Sequence, residues 1–173
     1  MFSRIAQVIE FDARRRGASQ PPNSDPDGLK EYHLIQHCAR IATSTEWLFD
    51  AVNESASAIA FVQVAIGFEA LFGGDVNDPI KKTLSNRVAY SLGKSPLERE
   101  ELADLFIKFY DTRSKVVHTG ASRLNMEQRK QFEFGKDVLG RCQLHELSLI
   151  PLAQSPLPGP LALLLEMASN PQS

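Results

Sequence analysis

An all-α fold, an antiparallel bundle of about five helices with short extra elements at both termini, is the architecture this sequence predicts. Three observations carry that expectation. Apolar residues between positions 29 and 150 recur at three- and four-residue steps, the period of a helix with one buried face. Helix start and stop signals cut the same stretch into pieces joined by short connections. No segment alternates apolar with polar in the manner of a half-buried strand, save a short one at residues 5–11.

From about Leu29, the apolar positions Leu34, Cys38, Ile41, Leu48 and Val52 recur at three- to four-residue steps or their sums and make one long helix. The second covers residues 57–72, where only Gln63 and Glu69 interrupt an apolar surface after the first residue. That makes it the central helix, and Gly73-Gly74 stops it. Asp78-Pro79 opens the third, with Asp as cap and Pro at the first helical position, and Gly93 closes it. Ser95-Pro96-Leu97-Glu98 is a capping box that starts a fourth helix, ending near His118-Thr119-Gly120. Asn125-Met126-Glu127-Gln128 caps a fifth, which runs through Phe132, Leu139 and Cys142 toward Leu149.

The helical domain is thus expected at residues 29–150. Residues 1–28 read as an N-terminal arm, because the basic run Arg14-Arg15-Arg16 is followed by a cluster of helix breakers. Residues 151–173 form a tail interrupted by Pro151, Pro156, Pro158 and Pro160, with a short apolar helix over residues 161–167.

Composition excludes several classes of function. With 173 residues, 43% hydrophobic and 23% charged, the chain is globular rather than disordered. A domain near this size hides roughly 70% of its unfolded surface, so it needs no disulfide or metal staple. Nineteen basic against 21 acidic residues leave a net charge of −2. That rules out a strongly basic field able to coat duplex nucleic acid, though a local basic site remains open. Two cysteines, Cys38 and Cys142, fit a reduced, cytoplasmic setting. No apolar leader and no run near 18 apolar residues is present, so no membrane partner is expected. Gly73-Gly74 lacks the following Lys-Ser/Thr of a phosphate-cradling loop, and neither a nucleophile elbow nor a basic recognition helix appears. No cofactor is expected.

The chemical clue lies on the fourth helix. Its stripe runs Leu102, Phe106, Phe109, Val116 and Val117, and the position that continues it between Phe109 and Val116 is Arg113. A guanidinium on a core-facing stripe must be paired or line a solvated cavity. Glu69, the lone acid on the most apolar helix, is the obvious partner. His118 follows five residues later, about 140° around the helix axis, so one straight helix cannot aim both side chains at one point. Convergence requires the helix to end between them or a second copy of the chain. Taken blandly, Arg113 is tied to a buried carboxylate and His118 satisfies helix-end carbonyls.

Three blocks in order, Ala65-Ile66-Gly67-Phe68-Glu69-Ala70-Leu71-Phe72, Leu84-Ser85-Asn86-Arg87-Val88-Ala89 and Tyr110-Asp111-Thr112-Arg113-Ser114-Lys115-Val116-Val117-His118-Thr119-Gly120, resemble the HEPN superfamily, in particular its Apea-like branch. The likeness is sharpest over residues 58–120. It implies a helical bundle that forms a homodimer, with two Arg-x4-His elements facing across a cleft. Many members are metal-independent endoribonucleases of phage defence or toxin–antitoxin systems; others bind RNA or nucleotides, or serve as dimerisation modules without catalysis. By resemblance, Arg113 and His118 are the catalytic pair, and Glu69 and Arg87 the supporting polar positions. Ser114 is a departure, since active members often carry Asn, Asp or His directly after the motif Arg. The implied partners are RNA, a second copy of the chain, and an antitoxin or larger defence complex.

A competing constellation is a zinc site. His33, His37 and Cys38 lie close together on the first helix, and Cys142 and His145 lie three apart on the fifth. The ordinary reading places both cysteines on apolar stripes as small hydrophobes, with the histidines flanking them.

Overall fold

The computed structural model describes residues 26–54, 57–73, 79–119 and 123–150. Within them the fold is an all-α bundle of five helices: α1 (Pro26–Asn53), α2 (Ala58–Phe72), α3 (Ile80–Leu92), α4 (Pro96–Thr119) and α5 (Met126–Ser148). Among the described residues there is no strand, only one antiparallel residue pair, Ser57 with Arg123, joining the two connections at one end of the bundle. The expected short strand at residues 5–11, the basic arm, the proline-rich tail, Gly74, Asp78 and Gly120 lie outside the described residues. No described helix is long and apolar enough to cross a membrane.

Local chemistry sets the helix ends. The Ser57 hydroxyl accepts the Ala60 N–H at 3.1 Å and starts α2. At the start of α4, Ser95 Oγ accepts from the Glu98 N–H at 3.2 Å, while Glu98 Oε2 accepts from the N–H groups of Ser95 and Lys94 at 3.3 and 2.7 Å. Asn125 and Gln128 make the same reciprocal pair at α5, both at 2.9 Å. The third helix differs from expectation by one residue. Pro79 is its N-cap, its carbonyl accepting from Lys82 and Thr83, rather than its first helical position. Gly73 and Gly93 end α2 and α3 through N–H bonds back to Glu69 and Ala89. Gly73 has a negative φ of −54°; glycine is needed there because a Cβ would collide with the Glu69 carbonyl.

The centre of the core is aromatic. Phe61, Phe68, Phe106 and Phe109 are fully buried, with Phe61 stacked on Phe109 at 5.0 Å and Phe68 edge-on to Phe106 at 4.9 Å. Burial of each ring contributes about 1.5–3 kcal/mol. A Cβ on Gly135 would strike the Phe109 ring, so this glycine lets α5 close against α4.

Side-chain pairs give the directions. Ser44 meets Gln143 and His37 meets Glu146, so α1 and α5 are antiparallel. Lys81 bonds Asp111 at 2.8 Å and Arg99 lies over the Tyr90 ring at 4.7 Å, so α3 and α4 are antiparallel as well.

Two stripes depart from expectation. On α1 the buried face is Ile41, Ser44 and Ala51, with Leu48 packed beside them, whereas Cys38 and Val52 face solvent. The inward seam includes a polar residue, Ser44, whose hydroxyl accepts the Gln143 amide at 2.8 Å; a search for apolar residues alone leans to the wrong side of the helix. On α4, Val116 is buried and Val117 is 48% exposed, because adjacent residues point about 100° apart and the face is only wide enough for one.

Candidate functional site

Arg113 sits where α4 crosses α2, above the aromatic core. The Tyr110 hydroxyl donates to Glu69 Oε1 at 2.6 Å. Arg113 Nη2 lies 3.8 Å from the same oxygen, and its guanidinium carbon is 5.7 Å from the centre of the Tyr110 ring. Both charged side chains are about two-thirds buried, with 31% and 27% of their surface exposed. Arg113 Nε is shut off from solvent and has no hydrogen-bond acceptor. Burial first, then the hydrogen bond to Glu69 and its charge, push the Tyr110 phenol well above the usual tyrosine range, and Arg113 only partly offsets this. The phenol therefore stays protonated at neutral pH and remains a donor to Glu69.

The expected approach of Glu69 and Arg113 is present, but neither residue is fully buried, and the closest partner of Glu69 is Tyr110. Tyr110 stands three residues before Arg113 on the same helix face. That spacing, with a polar tip on an otherwise apolar stripe, was the signal by which sequence reasoning could have found it. Arg87, expected as a supporting residue, does not join the group. Its Nη1 donates to the Phe72 carbonyl at 2.6 Å, satisfying one of the free carbonyls at the end of α2.

His118 lies in the last turn of α4 and is exposed. The helix is continuous to Thr119, so it does not end between Arg113 and His118, and within one chain the two side chains diverge. The bland role of His118 is taken by Thr119, whose hydroxyl donates to the Val116 carbonyl at 3.3 Å. Ser114 is half-buried.

The five residues of the zinc alternative do not gather at one point. Cys38 and His33 are exposed, and the His33 ring meets Tyr32 edge-on. His37 faces Glu146, its Nε2 3.5 Å from the carboxylate. Cys142 is buried in the core, and burial, followed by the Glu146 charge, pushes its thiol up to about 12. Among the described residues no three His, Cys, Asp or Glu side chains are grouped to hold a metal ion.

A second concentration of polar groups was not foreseen. An open cleft of about 350 Å³ lies between α1, α3 and α5, with Leu71 and Phe72 at the end of α2 closing one side. His37 and Arg40 enter it from α1, Arg87 and Ser91 from α3, and His145 and Glu146 from α5. Neither Arg113 nor His118 lines it. Three separate helices supply its polar residues, and no local motif links them.

Comparison with family models, with curated proteins and with solved structures found no match.

Proposed function

We propose that this chain is an RNA-directed, HEPN-like domain that works as a two-fold homodimer and cleaves RNA without a metal ion, with Arg113 and His118 in its active site. The observation that carries this reading is the pairing of one fixed cation and one open imidazole on a single helix. Arg113 is held at the α2–α4 crossing by Glu69 and the Tyr110 ring, while His118 faces solvent about 7.5 Å further along α4.

Because α4 does not break between them, a composite site takes Arg113 from one chain and His118 from the other, as isologous symmetry permits. In the proposed reaction the ribose 2′-oxygen attacks the adjacent phosphorus and the 5′-oxygen leaves, giving a 2′,3′-cyclic phosphate. Imidazole is the side chain that titrates closest to neutral pH and is suited to move the proton. A guanidinium holds two phosphate oxygens and offsets the charge that builds on them. The wider setting implied by the family resemblance, a toxin or phage-defence system with an antitoxin or larger complex as partner, belongs to the same proposal.

The other reading, a non-catalytic RNA-binding and dimerisation module, is favoured by the position of Arg113 beside Glu69 and the Tyr110 ring, about two-thirds buried, which suits a structural role. The experiment that tests catalysis is incubation of purified protein with mixed RNA in EDTA. The proposal expects cleavage by the wild type, a loss of about 10²-fold or more in His118→Ala, and no cleavage of DNA, which lacks the 2′-hydroxyl. Equal cleavage by wild type and His118→Ala, or none by either, leaves the binding module standing.

A further inference from the structure

The cleft between α1, α3 and α5 concentrates donors and positive charge in a chain whose net charge is −2. Its volume of about 350 Å³ falls at the lower end of the roughly 300–1,000 Å³ that small-ligand sites occupy. Arg87 is anchored by the bond from Nη1 to the Phe72 carbonyl, which fixes its guanidinium at the rim, and among the described residues its other N–H groups have no partner. Arg40 is exposed on the facing helix. Among the described residues neither arginine has a carboxylate partner. The one acid lining the cleft among the described residues, Glu146, faces His37.

Donors therefore outnumber acceptors. Two guanidiniums, the Ser91 hydroxyl and the imidazole of His145 surround a space with a single carboxylate on its wall. A carboxylate ligand offers two oxygens and one charge, whereas a phosphate monoester offers three terminal oxygens and up to two charges, enough to accept from both forks and from the neighbouring groups. We propose that this cleft binds a terminal phosphate monoester, held between Arg40 and Arg87. The site is separate from Arg113 and His118, and its occupancy does not depend on RNA cleavage.

Ribose 5-phosphate and ribose, titrated calorimetrically into the full chain, form the first test. The proposal expects heat from the phosphorylated sugar only. Arg40→Glu, at an exposed position with no described partner, is expected to weaken binding by about tenfold or more with little change in melting temperature. Arg87→Lys, which keeps the charge and loses the fork, is expected to weaken it less. A 5′-phosphorylated oligonucleotide compared with its 5′-hydroxyl twin distinguishes a nucleic-acid end from a free metabolite. A preference for the phosphorylated strand that Arg40→Glu abolishes assigns the site to strand ends, and binding of the sugar phosphate alone assigns it to small molecules. Equal binding of ribose and ribose 5-phosphate, no binding of any phosphorylated probe, or phosphate binding untouched by Arg40→Glu overturns the proposal.

Discussion

At the α2–α4 crossing, Arg113 stands beside a carboxylate and over a tyrosine ring, about two-thirds buried; in the cleft between α1, α3 and α5, Arg40 and Arg87 stand with no described carboxylate partner at an open rim. The same side chain thus does different work in the two places. In the first its charge is balanced within the protein and its position is fixed by packing. In the second no described residue balances the charge, which leaves it available to an anionic ligand. An arginine on an apolar stripe attracts notice in a sequence, whereas arginines on three-helix rims do not, although the rims leave more charge available to a ligand.

The largest expected effect tests whether the first place rests on the aromatic floor. Phe109→Ala empties a fully buried site in contact with Phe61, Phe68 and Phe106 and should lower unfolding free energy by about 3–5 kcal/mol in urea. A loss below about 1 kcal/mol would show that the crossing does not depend on this packing.

The contact of α1 with α5 is held differently, by a polar bond. Ser44→Ala leaves the Gln143 amide without its hydroxyl acceptor in the interior and should cost about 1–3 kcal/mol. The double variant Ser44→Ala, Gln143→Leu should recover part of that loss, since replacing both partners removes the unsatisfied group. No recovery would mean that shape, not bonding, holds α1 on α5.

Arg113→Ala should cost about 1 kcal/mol or less, because its ion pair is long at 3.8 Å and partly solvated, and Glu69 keeps its bond from Tyr110. Arg40→Ala should change stability by no more than about 0.5 kcal/mol. A loss above about 3 kcal/mol for Arg113→Ala would make that residue structural and erase the contrast between its balanced charge and a working site.

The smallest effect is read in alkali. Tyr110 has a folded-state pKa above its unfolded value of 10.0, so the unfolded chain loses this proton first. The contribution of the group to stability is complete below about pH 10 and falls as the pH rises further. Spectrophotometric titration should show one tyrosine ionising late, and Glu69→Gln should bring it earlier, because the carboxylate supplies two of the upward causes.

What was legible in the sequence was local. The Ser95–Glu98 and Asn125–Gln128 boxes span three residues each, and the bundle follows from helical period plus caps. The bond from Tyr110 to Glu69 spans 41 residues and that from Gln143 to Ser44 spans 99; partners so distant are set by how helices cross, which periodicity does not encode. Glu69 with Arg113 was found because each broke an apolar pattern on its own helix. Cys38 was misplaced because α1 turns its polar Ser44 inward, and the cleft left no local trace.

The central claim, an active site shared between two chains, is tested most directly by complementation. A shared site makes Arg113→Ala and His118→Ala each inactive alone, but refolded together they form mixed dimers in which one intact Arg113 faces one intact His118. Random pairing makes half the dimers mixed, each with one complete site of two, so RNA cleavage in EDTA should return to about a quarter of the wild-type rate. A mixture no more active than either variant alone, from proteins shown by sedimentation to pair, would contradict the shared site.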